Sequence, residues 1–64
     1  MKPDMTSAFS VGRNAGLARV ADAPKNMTLQ LWAQNGSRFA HRVYQNDKAI
    51  AEFVRGFTSA YTAR

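Results

Sequence analysis

Four side chains in the middle of this chain are of the types that hold a nucleic-acid strand: Trp32, Arg38, Arg42 and Tyr44. Aromatic faces stack on unpaired bases, and guanidinium groups meet phosphates. The same residue types anchor protein–protein interfaces, so the set also suits a protein partner. Lys25 adds charge, and Gln30 and Gln34 supply amides around the aromatic plane. From Lys25 to Tyr44 there are three cations and no acid. Catalysis has far less to build on. General acid–base work needs positioned titratable groups, and nucleophilic catalysis needs a nucleophile beside its base. His41 is the only candidate base, and the four acids (Asp4, Asp22, Asp47 and Glu52) are scattered. With no cysteine there is no thiolate metal site and no disulfide. A phosphate-cradling glycine loop is also missing, because Gly12 and Gly16 lie inside a helical pattern rather than after a strand. The residues therefore point to a binding protein rather than an enzyme, with no cofactor and no metal.

The element that must position this set spans Met27 to Tyr44. Met27, Leu29, Leu31 and Ala33 share odd parity, and after Asn35-Gly36 so do Phe39, His41 and Val43. Successive strand residues point to opposite faces, so this alternation predicts a β-hairpin over about 27–45. A three-residue loop, Asn35-Gly36-Ser37, keeps the odd residues together. It pairs Ala33 with Phe39 and Leu31 with His41. Trp32, Arg38, Arg42 and Tyr44 then share the even face with Gln30 and Gln34, and His41 falls on the apolar face as a half-buried packing residue.

Helices are expected on either side. The first covers about 5–21, capped by Asp4 or Thr6, with Met5, Phe9, Gly12, Gly16 and Val20 along one stripe and Asp22-Ala23-Pro24 as its stop. The second covers about 47–63, capped by Asn46 or Asp47. Its stripe of Ile50, Phe53, Val54, Phe57 and Tyr61 is the clearest 3.6-residue period in the chain. The expected fold is a single α+β domain over 1–64, helix–hairpin–helix, with both helices on the odd face of the hairpin. Its expected core is Phe9, Val20, Leu29, Leu31, Phe39, Val43, Ile50, Phe53, Phe57 and Tyr61. The alternative is an all-α domain, since Leu29 to Gln34 contains helix formers and a long helix could start at Ser37. Asn46-Asp47 argues against that long helix, because it would place a strong cap in its interior.

One internal echo stands out. Phe9-x-x-Gly12-x-x-Ala15-Gly16-Leu17 matches Phe53-x-x-Gly56-x-x-Ser59-Ala60-Tyr61 in spacing. The plain reading is that each helix carries an aromatic ridge beside a small-residue groove, so that each seats the other. This spacing also loosely resembles that of the ribosome modulation factor family, which has a Phe/Tyr-x-x-Gly-x-x-Ala-Gly element and a later Gly-aromatic-x-x-Ala element. Phe9, Gly12, Ala15 and Gly16 match the first, and Gly56, Phe57 and Ala60 the second, over about a fifth of the chain. The segment between departs from the family, being longer and hairpin-like where the family is helical. The resemblance hints at RNA as a partner.

Composition bounds the rest. Sixty-four residues allow one small core, and nine Lys/Arg against four Asp/Glu give a net charge of +5, which favours polyanions or acidic proteins. No run of about 18 apolar residues is present, which excludes a membrane span. Met1-Lys2-Pro3-Asp4 does not lead into an uninterrupted apolar segment, which argues against a secretory signal. The compartment expected is the cytoplasm. Two functions follow: an RNA- or DNA-binding or ribosome-associated accessory factor, or a regulator or inhibitor docking on a larger protein through the same face. A homodimer mating through its glycine strip or hairpin edge is compatible with either.

Overall fold

Three side-chain caps set the starts of three helices. The computed structural model describes residues 7–63, so the expected caps at Asp4 and Thr6 and the stripe position Met5 lie outside the described residues. Helix α1, Ala8–Val20, begins where the Ser7 hydroxyl accepts from the Ser10 N–H at 3.3 Å. It ends in a turn in which the Asp22 and Ala23 amides bond back to Arg19 and Val20, just before Pro24. Helix α2, Leu29–Val43, starts at Thr28, whose hydroxyl accepts from the Leu31 N–H at 3.2 Å. Helix α3, Asp47–Thr62, starts at Asn46, whose side-chain oxygen accepts from the Lys48 and Ala49 N–H groups at 2.8 and 3.3 Å. Asp47 in its first turn complements the positive end of the helix dipole.

The β-hairpin expected over 27–45 is therefore wrong. The segment is helix α2, no strand occurs among the described residues, and the fold is all-α rather than α+β. The helix buries Trp32, Gly36 and Ala40, spaced one turn apart. Leu29, Leu31 and Val43, assigned to the hairpin core, are 45%, 51% and 62% exposed. Asn35-Gly36 does not turn the chain. Gly36 sits against α3, where an added Cβ would lie 2.7 Å from a Phe57 ring carbon. His41 is also displaced from its expected place: it is exposed, and its Nδ1 lies 2.8 Å from the Ser37 carbonyl oxygen one turn back.

Helix α3 is the middle of the molecule. It packs along both other helices, whereas α1 and α2 scarcely meet. The α1–α3 pair is backbone on backbone. Gly12 lies against the Phe53 main chain, Gly56 against that of Phe9, and Gly16 against Phe57 and Ala60. The pairings advance in the same sense, so the two helices run parallel. The echoed Phe-x-x-Gly units thus face each other reciprocally, each glycine seated on the other unit's phenylalanine backbone. Because α3 fills this strip, it is closed to a second copy of the chain, and with no strand described there is no hairpin edge to mate.

The α2–α3 pair is aromatic instead. Trp32 of α2 stacks on Phe57 of α3 with ring centroids 4.5 Å apart, and within α3 Phe57 stacks in turn on Phe53 at 6.1 Å. Tyr61 tilts against Trp32, and Tyr44 against Phe53. These contacts run in opposite senses along the two helices, so α2 is antiparallel to α3. The Trp32 Nε1–H donates to the Phe57 carbonyl at 2.7 Å, and the Tyr61 hydroxyl donates to that of Met27 at 2.6 Å, tying the α1–α2 connector down.

Candidate functional site

The gap between α1 and α2 leaves a surface hollow of about 330 Å³. The helical period aligns Asn35, Arg38 and Arg42 on one stripe of α2 that edges it. Arg19 closes the opposite side from the last turn of α1, and Ala23 and Met27 of the connector form an apolar wall. Trp32, Phe39 and Phe57 make the aromatic floor. The lining includes three guanidinium groups and no acid.

Each arginine is held differently. The Arg19 guanidinium carbon lies 4.4 Å from the Phe39 ring centre, over its face, and Nη1 donates to the Ala15 carbonyl at 3.2 Å. Such a cation–π contact contributes about 0.5–1 kcal/mol at an exposed site. Arg38 and Arg42 are exposed and make no hydrogen bond or ion pair among the described residues. Arg42 lies in the last turn of α2, where a cation favours the negative end of the helix dipole. Its charge thus stabilises the helix while its donors remain open to a ligand.

Three of the residues singled out in the sequence meet here: Trp32, Arg38 and Arg42. Their roles differ from those expected of a hairpin face. Trp32 is only 3% exposed, with its ring stacked on Phe57 and its N–H spent on a carbonyl, so it is floor rather than an open stacking platform. Tyr44 is not in the hollow. It packs on Phe53 and borders a second, smaller depression with Ser7, Asn46, Lys48 and Glu52. Lys25, Gln30 and Gln34 are exposed and do not line the hollow.

Arg19, Met27, Asn35 and Phe39 are site residues that sequence reasoning missed. Asn35 and Phe39 become visible once 35, 38, 39 and 42 are spaced on a helix instead of a strand. Arg19 carries no such signal, because only the tertiary fold brings the end of α1 over Phe39. Among the described residues, no group of three or more His, Cys, Asp or Glu side chains is placed to hold a metal ion. No helix among them is long and apolar enough to cross a membrane.

No family model matches the chain, and neither does any curated protein or any solved structure. The spacing that resembles ribosome modulation factor has a packing cause here, the reciprocal glycine crossing of α1 and α3. The contrast drawn from a hairpin-like middle segment does not hold, since that segment is helical.

Proposed function

We propose that this chain is a small, non-catalytic, cytoplasmic binding protein that holds single-stranded RNA or DNA in the groove between α2 and the end of α1, as an accessory factor of a nucleic-acid or ribosomal assembly. The observation that carries the reading is the grouping of Arg19, Arg38 and Arg42 around an apolar, acid-free hollow, with Arg38 and Arg42 unpaired among the described residues. Guanidinium groups bind phosphate oxygens through two parallel N–H donors. The apolar hollow suits the base of an unpaired nucleotide, which a duplex keeps stacked inside. The chain's net charge of +5 adds long-range attraction for the same partner.

A second reading, a regulator docking on a larger acidic protein, is favoured by one separate observation. Leu29, Leu31 and Val43 are exposed on α2, and a strand-binding groove does not require them. Salt dependence separates the two readings. Titration of a labelled single-stranded oligonucleotide should give log K falling with log salt at a slope of about −1.4 for the two phosphate contacts of Arg38 and Arg42. Arg38→Ala and Arg42→Ala should each make that slope shallower by about 0.7. No measurable binding at low salt, or binding indifferent to both substitutions, would overturn the nucleic-acid reading.

A further inference from the structure

Resting on that reading, we infer that the groove takes one unpaired base, stacked on the guanidinium plane of Arg19, while the adjoining phosphates are held by Arg38 and Arg42. The aromatic surfaces leave this as the plane on offer. The Trp32 ring is stacked on Phe57 and nearly sealed from solvent. The Phe39 face is covered by Arg19, 4.4 Å from the ring centre. A base entering the hollow therefore meets the outer face of that guanidinium, with Phe39 backing it from behind. Guanidinium is planar, weakly hydrated and stacks on π-faces, which a lysine ammonium cannot do. Bases stack on arginine planes in single-strand recognition as they do on aromatic rings.

The remaining walls agree with this occupant. Ala23 and Met27 give the base edge an apolar side, and the Asn35 amide offers one acceptor and two donors to its polar edge. The volume of about 330 Å³ lies at the lower end of ligand pockets and is ample for a base. Arg38 and Arg42, one turn apart on α2, stand where successive phosphates of a strand running along the helix can reach them.

The test compares single-stranded oligo(dA) of about ten nucleotides with an abasic strand of the same length, which keeps the phosphates and lacks the bases. Wild type should bind oligo(dA) about ten-fold more tightly than the abasic strand, within the range of one base stack. Arg19→Lys keeps the charge and removes the plane. It should lose about that factor toward oligo(dA) and nothing toward the abasic strand. Trp32 fluorescence should respond to oligo(dA) only. Arg19 is exposed and Arg19→Lys should fold normally, which circular dichroism checks, and Arg55→Lys on the outside of α3 serves as a neutral control. Equal affinity of wild type for both strands, or Arg19→Lys binding oligo(dA) as wild type does, overturns the base site and leaves the phosphate-binding groove standing. Failure of wild type to bind either strand overturns both.

Discussion

Replacing Gly12 with alanine is the sharpest perturbation of this fold. In an ordinary helix interior the change would stabilise by about 1 kcal/mol, because alanine is the better helix former. Here the new Cβ would lie 2.8 Å from the Phe53 carbonyl carbon, 2.9 Å from its Cα and nearer still to its oxygen, where ordinary contact begins at 3.4 Å. These are main-chain atoms of the central helix, so no side-chain rotation relieves the clash. Helices α1 and α3 must separate by about 1 Å, which gives up a large part of the dispersion energy along the crossing. Overpacking of this kind costs about 1–3 kcal/mol, and the loss of the neighbouring Gly56–Phe9 contact adds to it. We expect a net loss of about 2 kcal/mol or more, against a total stability of roughly 3–10 kcal/mol for a chain of this length. With a urea dependence of about 1 kcal/mol per molar, the midpoint should fall by about 2 M. Gly56→Ala should act similarly. The double variant should lose less than the sum, since one separation relieves both clashes. Asn14→Ala, exposed on the same helix, should gain a few tenths of a kcal/mol. A Gly12→Ala midpoint at or above wild type would refute the backbone-on-backbone crossing.

Three further substitutions read the rest of the structure. Trp32→Phe removes the indole donor to the Phe57 carbonyl and should cost about 1–3 kcal/mol in urea unfolding followed by circular dichroism; an unchanged midpoint would contradict the buried bond. Asn46→Ala should cost about 1 kcal/mol by removing the α3 cap. Asn46→Asp should come within a few tenths of wild type, and equal losses from the two would count against capping. Leu31→Ser should change stability by less than about 0.5 kcal/mol, because the side chain is half exposed on α2; a loss of several times that would restore it to a core.

Helix α3 was legible because its large apolar residues recur at helical spacing behind an asparagine cap. The Gly12–Gly16 strip was likewise legible as close packing within the chain, and the Phe-x-x-Gly echo pointed to its partner on α3. Helix α2 was not, for a specific reason. Two of its three buried positions are Gly36 and Ala40, which a hydrophobic pattern hardly weighs, while Leu29, Leu31 and Val43 face solvent and mimic strand parity. Asn35-Gly36 strengthened the error, since that pair usually marks a turn. Here the glycine answers to the Phe57 ring. The contrary signal was present in Thr28, a capping residue three positions before Leu31, and in the one-turn spacing of Trp32, Gly36 and Ala40. The site suffered from the same misreading. Arg38, Arg42 and Trp32 border one hollow, but a strand face misassigned Tyr44, Gln30 and Gln34 to their company.

An amide and indole chemical-shift map of the labelled protein titrated with a single-stranded oligonucleotide would place binding in the groove or away from it. Shifts should be confined to the residues lining the groove, Arg19, Met27, Asn35, Arg38, Phe39 and Arg42 foremost, with the Trp32 indole N–H among them. Shifts centred instead on the outer face of α1 around Val11 and Leu17, or no shifts at low salt, would contradict binding in the groove.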